Sequence, residues 1–175
     1  MEFWLERLTS PIGTILLVSD GAALRALDFS DYAERMLQRL RRLYGDFRLT
    51  ECSSGTAARH LKDYFEGDLA APDRIAIRME GSAFQRKVWA AVRKIRPGET
   101  SSYAQLAAAI GAPGASRAVG LANGANPIAI VVPCHRVIGA DGSLTGYGGG
   151  LSRKAWLLRH EGNGDLLRPG DLERG

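Results

Sequence analysis

The chain is poor in cysteine, with only Cys52 and Cys134 among its 175 residues. Two thiols do not make a disulfide framework or a zinc-binding set of cysteines, and in a reducing compartment both are expected to stay as thiols. Small free thiols are among the most buried side chains, so we expect Cys52 to lie in or near the core. The second cysteine needs a closer look because of its neighbours.

Long apolar runs are also missing. No stretch reaches the roughly 18 residues that a membrane helix needs, and the N-terminus MEFWLERLTS lacks the basic and then apolar pattern of a secretory signal. Internal repeats and low-complexity segments are absent, and a composition of 45% hydrophobic and 24% charged residues is that of a globular protein. We therefore expect a cytoplasmic protein without a membrane partner.

Charge is distributed unevenly along the chain. The net charge is +4, which favours a polyanionic partner only weakly. The segment FQRKVWAAVRKIRPGE concentrates basic side chains, namely Arg86, Lys87, Arg93, Lys94 and Arg96. It predicts a basic face in the second half of the chain, and a solvated helix surface is the alternative.

The first half has the pattern of a small α/β domain. FWLERL, GTILLVS and ALRALDF predict three strands separated by turn signals, which favours an antiparallel sheet. DYAERMLQRLRRLYG and TAARHLKDYFEG follow with helical periodicity. We predict an N-terminal α/β domain over residues 1–80.

The second half is predicted to be mostly helical. A helix begins after the capping residue Ser82, and two short helices follow in SSYAQLAAAIG and ASRAVGLANGAN. Two short helices joined by a glycine-containing turn are typical of a helix-turn-helix, whose second helix can enter a DNA groove, although any small helical hairpin gives the same pattern. The expected fold is thus α+β, with a winged-helix-like C-terminal domain over residues 81–162.

Three further elements complete the predicted C-terminal region. IAIVV has the composition of a buried strand, and Pro133 must end it because proline has no N–H for the ladder. SRKAWLLRHEG predicts a final helix capped by Ser152. The polar tail over residues 163–175 is expected to be loosely held.

Cys134 follows the predicted strand and precedes an imidazole and a cation. A free thiol has a pKa of about 8.5 and is a poor nucleophile until a base or cation assists it. His135 can serve as that base if the chain turns after Pro133, or through a bridging water. Glu161, placed unfavourably at a helix C-terminus, is the candidate to orient His135. The alternative for Glu161 is an ordinary exposed side chain.

Five blocks carry a resemblance to a known family: FQRKVW, SYAQLA, SRAVGLAN, NPIAIVVPCHRVIG and LTGYGGGLSRKAWLLRHEG. Together they span residues 81–162 and closely resemble the O6-alkylguanine-DNA alkyltransferases, the methylated-DNA–protein-cysteine methyltransferases of direct DNA repair. The resemblance implies an irreversible, single-turnover transfer of the alkyl group of O6-alkylguanine, flipped out of double-stranded DNA, to a cysteine. It implies no cofactor, and it leaves open O4-alkylthymine as a substrate and cooperative DNA binding by a protein that is monomeric in solution.

The same resemblance assigns the chemistry to four residues. Cys134 is similar to the alkyl acceptor, and His135 to the base that works through a water. Glu161 corresponds to the carboxylate that orients His135. Tyr103 resembles the tyrosine that crowds a phosphate to rotate the nucleotide and then hydrogen-bonds the departing guanine.

Binding residues follow from the resemblance as well. Asn126 is similar to the hinge asparagine that ties the recognition helix to the active-site turn. The guanine pocket is expected to be lined by the Val137 carbonyl, Tyr147 and Gly148.

The resemblance also implies a DNA-contacting set. Arg117 resembles the arginine that fills the gap left by a flipped nucleotide, and Ala118, Arg136 and Tyr103 are the other expected contacts. Some family members bind zinc through N-terminal cysteines and histidines. This chain has only Cys52 and His60 in that half, so no metal site is expected.

Two functions of other classes compete with this interpretation. A helix-turn-helix regulator, with Cys134 as a sensor or core thiol, predicts no transfer of label from alkylated DNA. A cysteine hydrolase with a Cys-His-Glu triad requires direct contact between His135 and the thiol as well as an oxyanion hole, and it predicts turnover of esters or peptides.

Overall fold

The structure is a computed structural model that describes residues 1–173, and the chain divides into two compact units. The first unit contains Met1–Glu80 together with Pro127–Val131, and the second contains Gly81–Asn126 and the chain from Val132 onward. The sequence-based division at residue 80 did not include this return of five residues to the first unit. Within the described range, no helix has the length and apolar character that crossing a membrane requires.

A four-stranded sheet forms the first unit. The strands are β1 (Glu2–Ser10), β2 (Gly13–Ser19), β3 (Leu24–Phe29) and β4 (Arg48–Glu51), in the spatial order β3-β2-β1-β4. The three predicted strands and their antiparallel pairing are confirmed. Strand β4, which pairs parallel to β1, was not predicted.

Two helices complete the first unit, α1 (Ala33–Tyr44) and α2 (Thr56–Phe65). Met36 and Leu40 lie one helical turn apart on α1 and pack into a cluster with the sheet residues Phe3, Leu5, Leu16, Val18 and Ala26. Helix α1 is terminated by its C-cap residue Gly45, whose φ of +70° favours glycine. The apolar period of α1 therefore covers one face of the sheet.

The second unit holds four helices among its described residues: α3 (Ala83–Arg93), α4 (Tyr103–Ala109), α5 (Ser116–Gly124) and α6 (Leu151–His160). Ser82 caps α3 as predicted and forms a capping box with Gln85. Helix α5 packs against both α3 and α4, and the Trp89 indole donates to the Ala122 carbonyl at 2.8 Å. The two short helices of the predicted helix-turn-helix are thus neighbours.

Two short strands lie beside the helices of this unit. Strand β5 (Ser101–Ser102) directly precedes α4 and pairs in parallel with β6 (Val137–Ile138). Because β6 follows Cys134 by three residues, this pairing fixes the chain on the C-terminal side of the thiol.

The prediction that IAIVV forms a strand is wrong, although most of the segment is buried. Only Ile128 forms a β-bridge, to Leu27, and the chain then turns with Ile130 at a φ of +68°. The Val131 amide donates to the Ala129 carbonyl at 2.8 Å within this turn. Apolar composition predicts that the side chains are buried, and a turn can bury them as well as a strand can.

The ends of the last helix also differ from expectation. Helix α6 begins at Leu151, and its N-cap is Gly150 at a φ of +96°, so Ser152 lies inside the helix and does not cap it. The segment after α6, expected to be loosely held, packs against the unit. Leu166 and Leu167 contact a buried cluster that includes Ile138, Leu144, Ala155 and Leu158.

Candidate active site

Cys134 is the first residue of a single turn of 3-10 helix, Cys134–Arg136. Its side chain is buried and it forms no disulfide. The Cys134 amide donates to the Val132 carbonyl at 2.8 Å, and the Arg136 amide donates to the Pro133 carbonyl at 2.9 Å. The chain therefore turns immediately after Pro133, which is the condition under which His135 was expected to approach the thiol.

His135 and Glu161 form a fully buried pair. The distance from His135 Nε2 to Glu161 Oε1 is 2.8 Å, and both side chains have 0% exposure. Because the carboxylate only accepts hydrogen bonds, Nε2 carries the proton and Nδ1 is left as the basic nitrogen. His135 Nδ1 is buried and has no hydrogen-bond partner among the described residues.

The imidazole is kept neutral by its surroundings. Burial lowers the pKa of His135, Arg136 and Lys154 lower it further, and Glu161 opposes them without reversing the shift. The Tyr147 ring meets the His135 ring edge to face, with 6.5 Å between the ring centroids. A neutral imidazole with an available Nδ1 can accept a proton, so the pair has the arrangement of an oriented general base.

Arg136 is not placed to contact DNA, and that prediction is corrected. Its guanidinium donates through Nε to Glu161 Oε2 at 2.9 Å, through Nη2 to Glu161 Oε1 at 2.7 Å, and through Nη1 to the Ile95 carbonyl at 2.6 Å. The side chain is only 6% exposed. The bidentate ion pair and the Ile95 carbonyl together engage all three guanidinium nitrogens inside the protein, away from a phosphate.

Glu161, at the end of α6, therefore faces two cationic or donating groups. Burial opposes its ionisation, but His135 and Arg136 outweigh that penalty and hold the pKa of Glu161 well below its usual range. The sequence argument was that a carboxylate at a helix C-terminus needs a compensating partner. The structure provides His135, which was expected, and Arg136, which was not.

Two asparagines connect α5 to the backbone around Cys134. Asn126 Nδ2 donates to the Val132 carbonyl at 2.8 Å. The buried Asn123 lies in the last turn of α5, and its Nδ2 is 3.5 Å from the Cys134 carbonyl. Sequence reasoning identified Asn126 and missed Asn123, whose polar side chain on the buried face of α5 was the available signal.

The residues expected to line a guanine pocket come from three segments. Tyr103 begins α4, and its hydroxyl lies 3.1 Å from Thr145 Oγ1. Val137 is buried in β6, and its carbonyl accepts from Lys154 Nζ at 2.6 Å. Tyr147 is half-buried and Gly148 is exposed. The structure thus brings Tyr103 to the loop that leads into Tyr147.

The proposed DNA-reading face of α5 is exposed. Arg117 and Ala118 in its first turn are both exposed. Leu121, one turn after Arg117, is 73% exposed, which is high for a large apolar side chain. The helix thus presents one cation and small or apolar groups on its outer face.

Two other side chains depart from what their sequence context predicted. Cys52 is exposed, and partial desolvation of the thiol, with Glu6 and Glu51 adding to the effect, raises its pKa. Lys154 is fully buried; its spacing of three and four residues from Leu157 and Leu158 on α6 was the signal for its inward position. Across residues 1–173, no group of three or more His, Cys, Asp and Glu side chains is arranged to hold a metal ion.

Comparison with known proteins gives consistent matches. The family model of the 6-O-methylguanine DNA methyltransferase DNA binding domain matches residues 83–163. The methylated-DNA–protein-cysteine methyltransferase of Salmonella typhimurium is 50% identical over 161 residues, which cover 90% of this chain and 94% of that protein. The protein of the same name from Methanosarcina barkeri is 46% identical and covers 91% of this chain and 98% of its own length. Mycobacterium tuberculosis OGT, in a crystal structure with DNA, has a TM-score of 0.80 and 43% identity, with 97% of each chain covered.

Proposed function

The chain belongs to the family of methylated-DNA–protein-cysteine methyltransferases, and from that premise we propose that Cys134 is the cysteine that accepts the alkyl group from O6-alkylguanine in DNA. The activity is DNA repair by alkyl transfer. One observation carries the assignment of Cys134: the thiol begins a tight turn directly before the buried His135–Glu161 pair. Cys52, the other thiol, has the carboxylates of Glu6 and Glu51 near it, and these raise its pKa and disfavour its thiolate.

The proposed step is a displacement at the alkyl carbon. Cys134 Sγ forms a bond to that carbon while the bond from carbon to guanine O6 breaks, and the electron pair of the broken bond leaves with the guanine. The thiol proton passes through a water to His135 Nδ1, the departing guanine takes one proton from water, and His135 then returns its proton to the hydroxide left behind, so protons and charges balance. Tyr103 donates a hydrogen bond to the departing base. The thioether cannot be reversed by thiol exchange, so each chain reacts once.

Access to the alkylated atom requires the nucleotide to leave the duplex. Base flipping costs a few kcal/mol, and a side chain that fills the gap offsets part of that cost. We assign this role to Arg117 on the exposed face of α5, with Asn126 as the hinge between α5 and the turn that carries Cys134. O4-alkylthymine also carries its alkyl group on an exocyclic oxygen of the base, and it belongs to the proposed substrates. The cytoplasmic location expected from the sequence is part of this proposal.

The test is incubation with a duplex that carries O6-methylguanine, followed by intact-mass and peptide analysis. We expect a gain of about 14 Da per chain, from H replaced by CH₃, on Cys134. With excess DNA the gain should stop at one methyl group per chain. Cys52→Ala should react like the unaltered protein, and Cys134→Ala should gain no mass. A methyl group on Cys52 would refute the assignment.

The same experiment separates the two alternatives. A regulator would bind the duplex and gain no mass. A cysteine hydrolase would turn over an activated ester repeatedly and would keep no alkyl group on Cys134.

A further inference from the structure

The side chain of Tyr103 is held along its whole length in the second unit. Its backbone begins α4, where a capping box between Ser102 and Gln105 and the pairing of β5 with β6 fix the start of the helix. Its ring lies against α5, since a methyl group at Gly120 would stand 3.6 Å from Tyr103 Cδ1 and 3.7 Å from Cε1. Its hydroxyl lies 3.1 Å from Thr145 Oγ1. The tip of the phenol therefore meets a second hydroxyl.

Thr145 presents that hydroxyl from a backbone that is itself fixed. Its carbonyl accepts from the buried Lys154 ammonium group at 2.7 Å. The preceding residue, Leu144, is buried in a cluster with Ile138 and Leu158. A threonine places Oγ1 through a single torsion, and its branched β-carbon restricts that torsion. The half-buried Thr145 hydroxyl thus has a defined position relative to the phenol.

The two hydroxyls can pair in two directions, because each has one proton and can also accept. If Tyr103 donates to Thr145, the phenol proton is used inside the protein. If Thr145 donates to the Tyr103 oxygen, the phenol proton can point to another acceptor. A hydrogen bond received by the phenol oxygen also makes the phenol a stronger donor, since hydrogen bonds in a chain polarise one another.

We propose that Thr145 is a positioning residue for alkyl transfer, whose hydroxyl donates to the Tyr103 oxygen in the reacting complex so that the phenol directs its own proton to the departing guanine. This inference rests on the proposed function, in which Tyr103 donates that hydrogen bond. Thr145 acts only through Tyr103, and neither hydroxyl gives up its proton. Its hydroxyl therefore affects the rate of transfer and leaves the affinity for the duplex unchanged.

The experiment compares Thr145→Val, which keeps the branched shape and loses the hydroxyl, with Thr145→Ser, which keeps the hydroxyl. Thr145→Val is also made in a Tyr103→Phe protein, which has no phenol oxygen to receive the hydrogen bond. Thr14→Val on β2 of the first unit is the matched control, since Thr14 is likewise half-buried.

Three quantities are measured for each protein. The rate of methyl transfer to Cys134 from a saturating duplex with O6-methylguanine is followed by quenched reaction and mass spectrometry. The affinity for the unmodified duplex is measured by fluorescence anisotropy, and thermal unfolding shows that the variant is folded.

We expect Thr145→Val to slow transfer about fivefold at unchanged affinity, which is the size of one neutral hydrogen bond. Thr145→Ser should react at close to the unaltered rate, because its hydroxyl can reach the same oxygen. In the slower Tyr103→Phe protein, Thr145→Val should change the rate by less than about twofold, since the partner of the hydroxyl is already gone. Thr14→Val should keep the unaltered rate.

Three results would overturn the inference. One is a folded Thr145→Val protein that reacts at the unaltered rate. Another is a Thr145→Ser protein that is as slow as Thr145→Val, which would indicate that the methyl group is what counts. The third is an equal loss from Thr145→Val with and without the Tyr103 hydroxyl, as a general disturbance of the loop would produce. If the unaltered protein does not methylate Cys134 at all, the proposed function fails instead, so the two failures are distinguishable.

Discussion

Replacement of Glu161 by glutamine is predicted to weaken both the fold and the reaction. Three hydrogen bonds meet at this carboxylate, from His135 Nε2 at 2.8 Å and from Arg136 Nε and Nη2 at 2.9 and 2.7 Å. An amide has the same shape but only one accepting oxygen, and its NH₂ group would face another donor. Removal of one partner from a buried ion pair costs about 3–5 kcal/mol, and we expect the free energy of unfolding to fall by that amount.

The same exchange acts on the chemistry through His135. Without the carboxylate, the imidazole is no longer held in the tautomer that leaves Nδ1 basic, as in other oriented catalytic histidines. We expect alkyl transfer by the folded Glu161→Gln protein to slow by roughly 10²-fold, the usual size of a lost general base. Urea unfolding followed by tryptophan fluorescence measures the stability, and quenched reactions with methylated duplex measure the rate.

A double variant separates these two effects. Arg136→Met combined with Glu161→Gln removes the guanidinium that the single variant leaves buried without a counter-ion. Replacement of both members of a buried ion pair is often close to neutral for stability, so much of the lost free energy of unfolding should return. The rate should stay low, because His135 still lacks its carboxylate. Recovery of stability and rate together would refute a catalytic role for Glu161, and a Glu161→Gln protein of unaltered stability would refute the ion-pair argument.

Two further predictions concern the duplex and the pH. Arg117→Ala is expected to slow repair of methylated duplex by about tenfold or more while O6-benzylguanine reacts within about twofold of the normal rate, because only the duplex requires a side chain to replace the flipped base. Equal losses on both substrates would mean that Arg117 supports the fold or the pocket. The free energy of unfolding should decline as pH falls below about 6.5, because the unfolded chain then binds a proton at His135 that the buried, pKa-lowered imidazole does not. This group contributes at most about 1.4 kcal/mol per pH unit to the slope of the free energy of unfolding against pH, which urea unfolding measures between about pH 5 and 7. If His135→Asn had the same slope as the unaltered protein, the assignment to His135 would be contradicted.

The elements that the sequence predicted correctly are those encoded by local pattern. The β1–β2–β3 meander has apolar strands and turn residues between them, and α3 has its capping serine and glutamine three residues apart in its first turn. Strand β4, in contrast, is four residues long and mostly exposed, and its pairing with β1 joins residues more than forty positions apart. Nothing in its own composition distinguishes it from a loop, so only the presence of the β1 edge makes it a strand.

Burial was easier to predict than conformation. The run from Ile128 to Val132 is buried at four of its five positions, as its composition requires, yet it forms one bridge and a turn with a left-handed residue, Ile130. Hydrophobicity determines which side chains leave water, and backbone conformation then depends on which carbonyls and amides are within reach. Here the Leu27 amide donates to the Pro127 carbonyl, the Ala129 amide donates to the Leu27 carbonyl, and the Val131 amide donates to the Ala129 carbonyl.

The partners of buried charges could not be predicted, because they are distant in the sequence. Arg136 reaches a carboxylate 25 residues away, and Lys154 reaches a carbonyl 17 residues away. In a linear sequence each looks like a solvated cation on a basic protein, and the resemblance to DNA-repair proteins made a phosphate the obvious partner for Arg136. Burial reverses that expectation: a cation out of water must find its counter-charge or carbonyls inside the protein. Arg136 is therefore held by Glu161 and Lys154 by backbone carbonyls, and the DNA contacts that we propose belong to exposed side chains such as Arg117.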